Sequence, residues 1–268
     1  MAIVWKANGV AFDVLGLSGL RRQRTNQAED VCTFVAEGAA YDATAFKDGT
    51  AFFSYGSTVT ITRTVDSDPA VKFFVGRCLA PERIGEPGAQ RVQFTIAGPW
   101  WYLENLVFQQ FWKFPVDPND PNSALTDANQ SLLLLNLAED GTKLSLAQQV
   151  TAVVNFAIAA GAPIALGSGF PSLNVPVDEM TDATCAEVIR KNFRWAPDRV
   201  LWWDYSAATP TLNCATRSSA TAISYDLTDV DRPEAVRLRA RHDLQKSAVV
   251  LKYLSLIHIS EPTRQAEI

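Results

Sequence analysis

The sequence predicts an α+β fold: a β-rich first half shaped as a small barrel or sandwich, then a mixed helix–strand half. Three observations predict it. Short runs of alternating apolar and polar residues, rich in Val, Ile, Thr and Phe, recur between residues 30 and 96 and are punctuated by Gly, Pro and Asp. Segments with helical periodicity at 145–160 and 181–196 carry start and stop signals. Strand-like runs resume near residue 200. At 268 residues, 47% hydrophobic and 20% charged, the chain is long enough for one large domain or two moderate ones.

In chain order, Asp30–Val35 reads as a half-buried strand. Gly56–Arg63 is a stronger one, because its β-branched residues put Val59 and Ile61 on one face. Val71–Arg77 and Arg91–Ile96 follow, joined by the turn-rich stretch Pro81–Gly88. Pro118 and Pro121 among the turn formers of Asp117–Ser123 sustain neither helix nor inner strand, so the linker is placed over 116–144. A calcium loop fails there, since its third ligand would be Pro121 and its twelfth position Ala128. The first helix runs from Ser145 to Ala160, with Leu146, Val150, Val153 and Ala157 on one stripe and Gly161 with Pro163 as the stop. The second begins at Thr181 or Thr184, where Thr184 and Glu187 have capping-box spacing, and ends before Pro197. Strands are expected at Val200–Tyr205, Thr211–Thr216, Ala222–Tyr225, Ala235–Arg241 and Ala248–Tyr253.

The formal charge of -5 and pI near 5.1 argue against nucleic-acid binding, which leaves a basic stripe on a sequence. The dense basic runs, Arg21-Arg22-Gln23-Arg24 and the alternating Arg237, Arg239 and Arg241, read as solvated faces. Cys32, Cys78, Cys185 and Cys214 form no C-x-x-C pair and read as reduced, buried thiols. Met1–Leu20 does not have the form of a signal peptide, so a cytoplasmic protein is expected. Leu144–Val177 holds no charged residue, yet Gln148, Gln149, Asn155, Pro163 and its glycines break it as a membrane span. A buried helix followed by an apolar loop fits it instead.

Nucleophilic catalysis needs a base beside Ser or Cys, and the chain has 2 histidines, His242 and His258. There is no G-x-S-x-G elbow, no Walker spacing and no G-x-G-x-x-G. No catalytic, cofactor-binding or metal-ligating residue is therefore assigned, and no cofactor is implied. Asp204, within Leu201–Tyr205, is the most tempting acid, because aromatic neighbours that exclude water raise a carboxyl pKa. A capping Asp at a strand end explains it as well. The aromatic clusters Trp100-Trp101-Tyr102, Phe111-Trp112-Lys113-Phe114 and Trp202-Trp203 say more. Adjacent tryptophans on a strand point to opposite faces, so one of each pair stands outside its own core. Such a ring stacks on a sugar, anchors a protein partner, or packs between parts of the chain itself. A carbohydrate-binding or glycan-cleaving protein using the Trp pairs and Asp204 is accordingly the alternative reading.

Several motifs together carry a family likeness. Asp30-Val31-Cys32-Thr33-Phe34, Tyr55–Ile61, Phe74-Val75-Gly76-Arg77 and Gly98–Glu104 resemble the first barrel of tailed-phage tail hub proteins. Thr184–Lys191, Trp195–Ser206 and Thr209–Leu212 are similar to phage virion structural proteins of this kind. The likeness covers most of 11–253. It implies a virion tail component, assembled in the host cytoplasm, with no catalysis: a baseplate hub whose homotrimeric ring continues the tail tube toward the tip, spike or fibre proteins. Nucleic-acid readout and membrane insertion are not part of it.

The implied organisation is a hub-like barrel at 1–115, the connecting segment at 116–144 and an α+β insertion at 145–234. The opening strands of a second, incomplete barrel follow at 235–253. Residues 254–268 stand apart. Ser255–Arg264 is similar to the translation of a sequencing-adapter oligonucleotide, so the native chain is expected to run on beyond Tyr253. A barrel missing strands is expected to be sticky along its last edge.

Overall fold

The computed structural model describes residues 3–37, 53–66, 68–84, 91–115, 125–130 and 132–217. They belong to one compact unit, Met1–Thr221. The strands expected at Ala222–Tyr225, Ala235–Arg241 and Ala248–Tyr253, with His242, His258 and the arginines at 237, 239 and 241, lie outside the described residues.

An antiparallel sheet of eight strands fills the first third of the chain. Its strands are β1 (Ile3–Ala7), β2 (Val10–Ala11), β3 (Leu17–Gln23), β4 (Val31–Glu37), β5 (Thr58–Val65), β6 (Val71–Cys78), β7 (Glu82–Ile84) and β8 (Arg91–Ala97). The order is β2-β1-β5-β6-β8-β4-β3, with β7 also on β8. Strand alternation puts Cys32, Phe34, Val59, Ile61, Phe94 and Ile96 at 0% exposure on the inner face. Each of the Val, Ile and Phe side chains among them contributes about 1.5–3 kcal/mol on burial.

No ladder joins β2 to β3 among the described residues, so the expected barrel is an open sheet here. The chain passes between these two strands by a turn, in which Leu17 N donates to Phe12 O at 2.8 Å. Packing joins what the ladder does not: Phe34 on β4 meets Phe12 of that turn at 5.5 Å, Phe53 at 5.2 Å and Phe94 at 5.5 Å. Where β6 crosses to β8 the ladder is only Arg77↔Ala97 and Cys78↔Ile96. Gly76 stands at this crossing, and a Cβ there would lie 2.2 Å from Ala97 O.

The rest of the described chain forms helices and small sheets: α1 (Trp100–Glu104), β9 (Gln110–Pro115), β10 (Leu125–Gln130), β11 (Leu132–Leu135), α2 (Leu146–Ala159), β12 (Ala165–Leu166), β13 (Asp178–Thr181), α3 (Cys185–Phe193), β14 (Arg199–Asp204) and β15 (Thr211–Thr216). β9 pairs with β10, β11 with β13, and β15 with both β12 and β14, the β12 pairing being parallel. The range read as a linker thus carries β10 and β11, and Leu133 and Leu135 are buried in the core.

Both expected helices form. Ser145 caps α2 in a capping box, its N–H donating to Gln148 Oε1 at 2.8 Å, and Leu146, Val150, Val153 and Ala157 are all fully buried. Thr184 caps α3 in the same way with Glu187. None of the described helices is long and apolar enough to cross a membrane. All four cysteines are buried and unpaired, and burial pushes the Cys32 and Cys185 thiols up to about 12 and that of Cys78 to about 11.

Candidate functional site

The densest polar chemistry lies where the loop at 24–30, between β3 and β4, meets β14 and α3. Alternation along β3 turns Arg21 and Gln23 outward and Arg22 inward. The basic run at 21–24 is therefore not wholly a solvated face, because the Arg22 side chain is only 10% exposed. Its Nη2 lies 3.4 Å from Asp30 Oδ2, and its Nη1 donates to Phe73 O at 2.6 Å. The guanidinium stacks 4.8 Å from the Tyr205 ring centroid and 5.3 Å from that of Phe74. Asp30 also accepts from the Tyr205 hydroxyl at 3.3 Å and from Thr25 N at 3.3 Å, and its carbonyl accepts from Gly98 N at 2.7 Å. Burial, reinforced by the Asp30 charge, holds the Tyr205 phenol well above its ordinary value and so in the donor form.

A second cluster adjoins it. Arg190 on α3 donates from Nη2 to Glu104 Oε1 and from Nε to Gln27 O at 2.7 Å. Trp100 Nε1 donates to the same Glu104 oxygen at 3.0 Å. Glu29 is raised to about 6 by burial and by the neighbouring charge of Glu104. Asn26 Oδ1 accepts from Leu201 N at 3.0 Å, which ties the loop to β14.

The tryptophans part company with the sequence expectation in one place. Trp100 and Trp101 lie on α1, not on a strand, so the two-faced rule does not apply to them: Trp100 is 1% exposed and Trp101 half-buried. On β14 the rule holds, with Trp202 44% exposed and Trp203 4%. Trp100, Trp202 and Trp203 line one recess of about 180 Å³ with Asn26 and Gln27, while Trp112 lines a separate cleft of about 430 Å³ with Phe108 and Phe156. Asp204 is not among the residues lining either. Its carboxylate accepts from Ser206 N at 2.8 Å, and that backbone hydrogen bond holds its pKa below the usual carboxylate value. A raised, proton-donating Asp204 is thus corrected to a turn cap. Among the described residues, no group of three or more His, Cys, Asp or Glu side chains is placed to hold a metal ion.

Sequence reasoning missed the Arg22–Asp30–Tyr205 contact. The available signal was the alternation of 21–24, which requires one arginine of the run to face inward.

No family model matches the chain, and no curated protein matches it. Matching solved structures include the 43 kDa tail protein of prophage MuSo2 from Shewanella oneidensis, at 12% identity and a TM-score of 0.44, over 82% of this chain and 55% of that one. Another is the tail protein from Neisseria meningitidis MC58, at 10% identity and 0.45, over 85% and 56%. A third is the half-lidded PdpA-VgrG complex of Francisella, at 10% and 0.42, over 79% and 31%. The structural neighbours of the chain are tail proteins and a VgrG complex. It spans little more than half the length of the two tail proteins.

Proposed function

We propose that this chain is a structural component of a bacteriophage tail, a hub or baseplate subunit that joins the tail tube to the tip or spike by forming a homotrimeric ring. One observation carries this reading. The motifs that resemble hub proteins are scattered from Asp30 to Leu212, yet several of them meet: Asp30 with Tyr205 and Gly98 and Phe74 with Tyr205 at 5.3 Å in one buried junction, and Glu104 with Arg190 in the part-buried cluster that adjoins it. They specify how a sheet is fastened to a helix–strand layer. Residues chosen for fastening suit a rigid building block, so the role is structural and not enzymatic. In this reading the antiparallel sheet, open among the described residues, stands in the place of the first hub barrel, and the helix–strand layer after it is the insertion.

Exposed apolar side chains support a surface made for contact, among them Ile3 at 48%, Tyr55 at 65%, Trp195 at 42% and Trp202 at 44%. The test is the oligomeric state of the full-length protein. A trimeric ring by native mass spectrometry, and its presence in purified particles, is the expected result. A monodisperse monomer under all assembly conditions overturns the proposal. Carbohydrate binding is favoured by one feature, the exposed Trp202 beside a recess. Binding on a glycan array lost on Trp202→Ala would support it, and silence there retires it.

A further inference from the structure

Four arginine side chains are half-buried among the described residues: Arg22, Arg77, Arg190 and Arg199. Three meet a carboxylate, on Asp30, Glu104 and Asp198. Arg77 meets none.

Its position is nonetheless a built one. The guanidinium carbon lies 4.7 Å from the Trp101 ring centroid and 5.7 Å from that of Tyr55. Gly56 forms a third wall: a Cβ there would stand 2.9 Å from Nη2. Nε is buried with no acceptor, which leaves the Nη1 and Nη2 end as the donor edge that an incoming group can reach. The base of the side chain is fixed as well, since Arg77 pairs with Thr58 on β5 and with Ala97 at the crossing to β8. Alternation puts Val75 on the same face, beside a recess of about 160 Å³ lined by Thr60, Val75, Pro99, Tyr102 and Pro210.

A cation flanked by two rings, with no counter-ion among the described residues, is complementary to an anion from outside. Arg, Tyr and Trp are also the residues that dominate protein–protein hot spots, and the adjoining recess can take a neighbouring side chain of the same segment. The geometry points to Arg77, held between Tyr55 and Trp101, as an anchor for a carboxylate side chain of a neighbouring protein subunit. That the carboxylate comes from a subunit rests on the tail reading; that the anchor takes a carboxylate does not.

The test uses the 1–268 chain and three probes: an octapeptide of alternating glycine and glutamate, its glycine–glutamine analogue, and an alginate hexamer. Binding is followed by the indole N–H resonance of Trp101. The glutamate peptide should bind about tenfold more tightly than the glutamine one, as for a charge-assisted bidentate contact. Arg77→Gln should abolish the preference, and Arg77→Lys, which keeps the charge without the planar fork, should retain only part of it. If Arg77→Gln does not fold, Tyr55→Ala serves, with about threefold weaker binding of the glutamate peptide expected from the lost ring. Equal binding of the two peptides, or a preference that survives both substitutions, overturns the anchor. Tighter Arg77-dependent binding of alginate overturns the protein partner in favour of an acidic glycan. Incorporation into particles is scored separately: wild-type chain absent from tails removes the tail reading, whereas an Arg77-independent response removes only the anchor.

Discussion

Asp30→Ala is the substitution expected to cost the fold most per atom removed. The Arg22 and Asp30 side chains are 10% and 8% exposed, so truncating the acid leaves a buried guanidinium with only the Phe73 carbonyl and three aromatic faces. Removing one member of a buried ion pair costs about 3–5 kcal/mol. Thr25 N and the Tyr205 hydroxyl lose their acceptor too, but these losses overlap with the first and are not added in full. About 4 kcal/mol is therefore expected. In urea unfolding followed by circular dichroism, with a slope of about 3 kcal/mol/M, the midpoint falls by about 1.3 M. The paired variant Arg22→Met with Asp30→Ala removes the stranded charge and should recover most of the loss, to within about 2 kcal/mol of wild type. A single-variant cost below about 1 kcal/mol, or a paired variant less stable than Asp30→Ala alone, would refute the claim that this junction is a desolvated charge pair.

Gly76→Ala places a methyl 2.2 Å from Ala97 O, so β6 and β8 must part, and insoluble expression or a loss above about 3 kcal/mol is expected in the same unfolding assay. Ser145→Ala removes the hydroxyl that accepts from Gln148 N at 3.4 Å and should cost about 1 kcal/mol. For Glu29 the folded value of about 6 exceeds the ordinary 4.5, so the folded state binds the proton more tightly. Its contribution is then fully present below pH 4.5 and is lost as the pH rises through 6. Glu29→Gln should flatten that part of the stability–pH profile and, above pH 6, exceed wild type by no more than about 1 kcal/mol, because a half-exposed carboxylate is screened by water. A profile unchanged by the substitution would show that Glu29 is not the group responsible.

What was legible in the sequence is what local physics decides. Thr184 and Glu187 at capping-box spacing mark the start of α3, the stripe from Leu146 to Ala157 with Gly161 after it marks α2, and the β-branched alternation around Val59 and Ile61 marks β5. Thr211–Thr216 coincides with β15. The first three strands carry no such signal. In β3 only Leu17 is buried, and its register with β4 breaks between Ser18 and Arg21, so what alternation there is shows only in the polar run from Arg21 to Gln23. Trp100–Glu104 is too short for a helical period to show, and is held by contacts of Trp100 and Glu104 rather than by propensity. The junction was illegible because Asp30 and Tyr205 lie 175 residues apart. No local pattern encodes which distant hydroxyl will meet a carboxylate.

Arg22 and Arg77 show how one chemical device can serve two ends. Each guanidinium lies within 6 Å of aromatic ring centroids, and each thereby gives up hydration that rings return only in part. At Arg22 the chain supplies the missing charge itself, by folding the 24–30 loop so that Asp30 points back beneath β3. At Arg77 no described carboxylate arrives, although the same strand carries both kinds of contact: Phe74 faces inward to Tyr205, and Arg77, three residues on and on the opposite face, stands beside the exposed Tyr55 ring. The unpaired cation costs stability that a glutamine there would not cost. Among the described residues every other half-buried arginine meets a carboxylate, and this one stands open in a slot walled by two rings and a glycine. Its missing half is an acid on another molecule.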